Sequence, residues 1–244
     1  PIGQELPFVA SNTDSNENFT ITARLIYKSE NVYFFAETGL DVDEGAVQRL
    51  VDDFQQNAYP TNREFFGEEW NPGVDGDPHL YILYAGNLGS SLAGYYSSND
   101  EYSKLAHESS NEKEMFYINA DNVSPDEEFT RSVLAHEFQH MIHWRHDINE
   151  TSWMNEGSSM LAEQLNGFDD GGVGFSFTND PDLQLTTWGE DDNYPHYGAA
   201  YMFMSYFLDR FGEEATKSLV ADPENGMESV DTVLAALGAT NADG

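Results

Sequence analysis

The sequence predicts an α+β protein: a mixed, mostly antiparallel sheet lobe over residues 1–123, then a helical lobe over 124–244, together making one domain. Three observations predict it. β-rich runs crowd into the first half, and apolar residues recur at helical spacing in the second. The third is size: 244 residues with 39% hydrophobic and 14% aromatic content suffice for one large core.

Residues 1–18 are polar, rich in Asn and Ser, and read as a lead-in arm. FTITARLIYKSENVYFFAE, residues 19–37, carries two β-rich runs around a turn at Lys28 to Asn31 and reads as a hairpin. From Glu44 to Gln56, Ala46, Leu50, Val51 and Phe54 recur at helical spacing, and a turn-rich stretch through NPGVDGDPH follows. HLYILYA (79–85), GYY (94–96) and EMFYIN (114–119) read as strands of one sheet, separated by a polar loop from Ser97 to Lys113.

The period changes at Ser124. A hydroxyl at the N-cap, Pro125 at the first helical position and Glu127 at the third satisfy amide donors a helix would otherwise orphan. The helix is expected to reach about Trp144, with Phe129, Val133, Ala135 and Met141 or Ile142 on its apolar side. A second helix is expected from Thr151 or Ser152 to Leu165, with a Gly167 stop. A third, from Tyr197 to Phe211, ends at Gly212 and is apolar nearly all round, so burial is expected. A short fourth runs from about Ser229 to Leu237.

The chain holds 10 Lys plus Arg against 44 Asp plus Glu, a formal charge of -34, and such a surface repels phosphate backbones and anionic membranes. Nucleic acid is excluded as a partner. No apolar run reaches the ~18–20 residues of a membrane span. With no Cys, disulfides and thiolate chemistry are ruled out, so any metal must be held by His, Asp, Glu or backbone oxygen. A start at Pro1 and an end at ATNADG are expected of a chain processed or cut from a longer one.

His136-Glu137-Phe138-Gln139-His140 matches H-E-x-x-H, on the segment where the helix is most clearly written. Residues four apart share a helix face, so both imidazoles can address one ion while Glu137 stands beside it. That donor set suits zinc, and the Glu can take a proton from water. An accidental match on an exposed acidic helix is the plain alternative. Against it, His136, His140, His143 and His146 fall within eleven of the 244 positions, in a chain with 7 His.

Two residues compete for the third ligand position. Glu156, in WMNEGSSMLAE, opens the following helix. His146 stands where H-E-x-x-H-x-x-G-x-x-H places its third His, but the Gly slot of that pattern holds His143. A His seldom takes the positive φ required there, so Glu156 is favoured and His143 and His146 read as solvated helix-end residues.

HEFQHMIHW followed by WMNEGSSMLAE resembles the gluzincin-type zinc metallopeptidases, most closely the bacterial secreted hyicolysin-like family. The likeness extends over roughly residues 59–212, while its specific motifs fill 136–163. It implies a zincin-like fold with the active helix in a cleft, zinc held by His136, His140 and Glu156, Glu137 as the base, a polypeptide substrate and an extracellular location. A GxMEN-type exopeptidase motif is missing, so the expected activity is endopeptidase. A zinc-containing binding or adhesion module without turnover is the rival reading.

A developing oxyanion needs a hydrogen-bond donor. Tyr197, then His196, in NYPHYGAAY are the candidates, although aromatic residues there can simply pack. Glu163, seven residues after Glu156, either orients a ligand His or is an ordinary surface acid. YILYAG and LAGYY either offer a sheet edge to an extended peptide or, as is commoner, are only core strands. Acidic loops, among them VDGD (74–77) and GEDD (189–192), are candidates for a structural calcium ion, with Asp75 and Asp77 preferred; a solvated acidic surface is the alternative.

Overall fold

The computed structural model describes residues 1–189 and 193–238; most of the GEDD loop and the terminal ATNADG lie outside the described residues. The architecture is mixed α+β, a six-stranded sheet followed by helices. Two compact units form, residues 1–60 with 70–141 and residues 61–69 with 142–244.

In the first unit the strands are β1 (Glu5–Asn12), β2 (Glu17–Lys28), β3 (Val32–Glu37), β4 (Leu80–Ala85), β5 (Gly94–Tyr96) and β6 (Met115–Asn119). Their order is β1-β2-β3-β4-β6-β5, with antiparallel pairing for β1/β2, β2/β3 and β5/β6 and parallel pairing for β3/β4 and β4/β6. The hairpin read at 19–37 is β2–β3. The supposed lead-in arm is a correction: residues 5–12 form strand β1, registered from Glu5 opposite Arg24 to Asn12 opposite Glu17. Phe8 and Ala10 turn inward there with their neighbours Ile21 and Ala23. Of the two readings of YILYAG the core strand holds, because β4 is an interior strand buried along its whole length. GYY is the edge strand β5.

Parallel β3 and β4 are joined through α1 (Glu44–Gln56) and α2 (Ala58–Phe66). The Asp43 carboxylate caps α1, accepting from Gly45 N at 2.8 Å and Ala46 N at 3.2 Å. Strand alternation splits the sheet's side chains between its two faces. Phe8, Phe35, Tyr81, Leu83 and Tyr117 belong to one buried cluster. Phe116 faces the other way, where its ring lies 6.0 Å from that of Phe54 on α1 and 6.2 Å from that of Phe138.

Phe138 belongs to α3 (Glu128–His146), which begins three residues later than a Ser124 cap requires. The Ser124 hydroxyl instead donates to Asp126 Oδ1 at 2.6 Å, and Glu127 N closes a turn onto Ser124 O. Phe129 is a further correction: it is 55% exposed, while Val133, Leu134, Ala135, Phe138, Met141 and Ile142 are buried.

The second unit is helical. α4 (Ser152–Leu165) has the expected bounds, followed by Gly167 with φ +84°. α6 (Tyr194–Phe211) starts one turn early, at Tyr194 and Pro195, and is only partly buried: Ala200, Met204 and Phe207 are inside, Met202 and Tyr206 are exposed. α8 (Met227–Ala236) is the expected short helix. The sequence reading missed α2, α5 (Val173–Asn179) and α7 (Glu213–Val220), the last an acidic-start helix directly after Gly212.

Candidate metal centre

α3 sets the site because its two faces have different jobs. Phe138 stacks on Tyr59 at 5.3 Å and meets Phe54 edge-on at 5.5 Å, which fixes the rotation of the helix about its axis. With Phe138 held inward, His136 and His140 share another face, their rings 4.7 Å apart and inclined by 78°. Both are partly buried, and Glu137 between them is buried.

Glu156 comes from the opening turns of α4. One ligand atom each from His136, His140 and Glu156 lies within 4.8 Å of the others, so the carboxylate and the two imidazoles converge on one point. The competing reading with His146 as third ligand is not the group that closes. The expectation of solvated His143 and His146 is corrected in half: His143 is 1% exposed, buried within α3, whereas His146 is exposed, with Gly67 abutting its ring. Partial desolvation of the ring, then neighbouring Arg145, lower the basicity of His146.

The residue after Glu156 is glycine for a steric reason. A Cβ on Gly157 would stand 2.9 Å from the Ala200 carbonyl oxygen and 3.0 Å from Met204 Cγ, so α4 and α6 meet backbone to backbone there. His196 and Tyr197 lie four and three residues before Ala200, on the same side of α6. Trp188 packs on both, its ring 5.6 Å from that of His196 and 5.1 Å from that of Tyr197. The His196 Nδ1 atom is buried and has no hydrogen-bond partner. Trp188 went unnoticed in the sequence, where its one signal is an aromatic residue in the polar run TTWGE. Glu163 is 9% exposed, which removes the surface-acid reading.

The donor set tests well for zinc: two imidazole nitrogens at i and i+4 and one carboxylate oxygen leave a fourth position open. The Asp75 and Asp77 pair fits calcium poorly. Asp75 accepts from Lys113 Nζ at 3.1 Å and from Asp77 N at 2.8 Å, and Asp77 is engaged by His79.

Sheet, H-E-x-x-H helix and the glutamate of the next helix together make up a zincin-like fold. The chain is 24% identical over 253 residues to neutral metalloprotease ShpI of Staphylococcus hyicus, covering 93% of this chain and 57% of that protein. Among solved structures it is similar to a mutant M1 zinc metallopeptidase from Deinococcus radiodurans, with a TM-score of 0.51, 12% identity, and coverage of 97% of this chain and 58% of that one. The same mutant bound to a Tyr-Ser-Ala substrate gives a TM-score of 0.50, 12% identity, and coverage of 98% and 59%. The chain thus spans a little over half the length of these proteins. No family model matches it.

Proposed function

We propose that this chain is the catalytic part of a zinc-dependent endopeptidase acting outside the cell on polypeptide substrates. The convergence of His136, His140 and Glu156, with Glu137 inside the same motif, is the observation that carries the reading. A zinc ion held by these three would polarise the scissile carbonyl and make the attacking water more acidic. Glu137 takes the proton from that water and returns it to the leaving nitrogen, which requires a carboxylate both close and shielded; its burial supplies the shielding. Tyr197 or His196 donates a hydrogen bond to the oxyanion. Trp188, packed on both, limits their rotamers. Glu163, buried on α4, orients a ligand imidazole.

Two features support peptide hydrolysis of the endo type. ShpI carries the name of a neutral metalloprotease, and the GxMEN-type exopeptidase signature is missing from this sequence. The resemblance to secreted enzymes supports an extracellular site of action. The test is cleavage of unfolded casein, followed by product mass. Internal fragments, abolished by chelation and restored by zinc, are expected. Stoichiometric zinc binding with no cleavage of any polypeptide would establish the rival, a binding module.

A further inference from the structure

A second group of acids lies in the first unit, apart from the H-E-x-x-H motif in sequence and unused by the proposed chemistry. Asp100 and Glu101 end a short 3-10 turn (Ser98–Glu101), and Glu114 immediately precedes β6. All three are buried, at 3%, 1% and 2% exposure. Asp75 lies close enough to Glu114 to repel it.

Accounting for each carboxylate oxygen isolates the anomaly. Asp75 Oδ1 accepts from Asp77 N and Oδ2 from Lys113 Nζ. Asp100 Oδ1 accepts from Asn111 N at 2.6 Å and Oδ2 from the Tyr117 hydroxyl at 2.7 Å. Glu101 Oε1 accepts from the Tyr96 hydroxyl at 3.2 Å, and Glu114 Oε1 from Val74 N at 2.7 Å. Glu101 Oε2 and Glu114 Oε2 remain, both buried and both without a partner. The two carboxyl groups lie within hydrogen-bond reach of each other, so either a shared proton or a cation must sit between them.

Buried acceptors are ordinarily satisfied, and a buried charge needs a counter-charge. Nearby cations do not supply it: Lys113 is engaged by Asp75 and by the face of Tyr81. The loop closing over the pair is built for close approach. Gly73 has φ +79°, and a Cβ there would stand 1.8 Å from the Glu114 carboxyl carbon, so any other residue would be strained and would displace that carboxyl group. Hard oxygen donors from separate chain segments, in a chain of formal charge -34, suit a hard divalent cation.

We propose that Glu101 and Glu114 are the protein ligands of a calcium ion, which bridges their Oε2 atoms and ties the 98–114 loop to the start of β6. This site is distinct in residues and in chemistry from the His136–His140–Glu156 centre. It also differs from the Asp75–Asp77 pair that the sequence suggested.

The experiment is equilibrium dialysis of chelator-stripped, zinc-reloaded protein against calcium, with metal counting and thermal melting on the same samples. Wild type is expected to hold one tight calcium and, at one hundredfold excess over Kd, to melt about 5 °C or more higher. Glu101→Gln and Glu114→Gln are each expected to weaken that binding at least tenfold and to lose the shift, with zinc content unchanged. Absence of a tight calcium in wild type would overturn the proposal in favour of a shared proton. So would tight calcium that persists in the double Gln variant. Wild type without a tight calcium overturns the proposal even if a variant fails to fold.

Discussion

On α3 and α4 a carboxylate meets two imidazoles; at the head of β6 a carboxylate meets another carboxylate. Glu156 joins neutral nitrogen donors from one helix face, so its negative charge is the only one the ligand set brings to the ion. Glu101 and Glu114 repel each other, and burial raises the cost of charging both. The first arrangement discriminates by ligand softness and by spacing on a helix. The second discriminates by charge and by loop closure. Soft-to-borderline zinc and hard calcium are the ions these two solutions suit.

The largest expected effect separates catalysis from binding at the first site. Glu137→Gln should lower peptide hydrolysis by about 10²–10⁴-fold, the usual contribution of a positioned acid–base group. Zinc content should stay at the wild-type level. Loss of zinc together with activity would make Glu137 a structural element of the centre and would break the contrast drawn between its role and that of Glu156.

Next in size is the opposite face of the same helix. Phe138 is fully buried among Phe54, Tyr59 and Phe116. Phe138→Ala should cost about 3–5 kcal/mol in denaturant unfolding, because a large aromatic leaves a cavity behind. If the packing of Phe138 is what fixes the orientation of His136 and His140, zinc affinity should fall as well. A variant that is destabilised yet binds zinc as tightly as wild type would show that the imidazole face is held from elsewhere.

These contrasts also explain what could be read in advance. The bounds of α1 and α4 were legible because each combines a marked apolar period with a stop signal, Gly167 for α4. The triad was legible because two imidazoles four residues apart share a face whatever the tertiary context, and the glutamate opens the very next helix. β1 was hidden because its inward residues, Leu6, Phe8 and Ala10, sit in an Asn- and Ser-rich surround and become a strand only through pairing with β2. α2, α5 and α7 are nine, seven and eight residues long, too short for a 3.6-residue period to stand out. The Glu101–Glu114 pair has no fixed spacing at all. A turn and an intervening polar loop bring its members together, and loop closure leaves no local pattern.

A pH series sharpens the comparison from the second site. In the cation-free chain, burial first, then repulsion by neighbouring acids, pushes Glu114 up to about 7 and Glu101 up to about 9, against 4.5 unperturbed. The folded chain therefore holds protons that the unfolded chain has released. Stability contributed by the protonated pair is present at low pH and is lost as pH rises from about 4.5 through about 9. Melting of stripped wild type should fall across that window more steeply than melting of the Glu101→Gln, Glu114→Gln double variant, and saturating calcium should flatten the wild-type slope. Parallel slopes for the two proteins would mean that the general acidity of the surface, and not this pair, sets the pH dependence.

The smallest effect concerns the entry to α3. Had Ser124 capped the helix, its replacement by Ala would cost about 1 kcal/mol. The helix begins instead at Glu128, and the Ser124 hydroxyl is spent on the exposed carboxylate of Asp126. What anchors the turn on the Ser124 side is its main-chain carbonyl, which accepts from the Thr130 hydroxyl at 2.6 Å, and that contact survives the substitution. Ser124→Ala should therefore shift stability by less than about 0.5 kcal/mol, as at an ordinary surface position. Thr130→Val should cost more, because Thr130 is fully buried and the Ser124 carbonyl loses the shorter of its two hydrogen bonds, keeping only that from Glu127 N. Reversal of that order, measured as paired unfolding free energies, would return the start of α3 to Ser124.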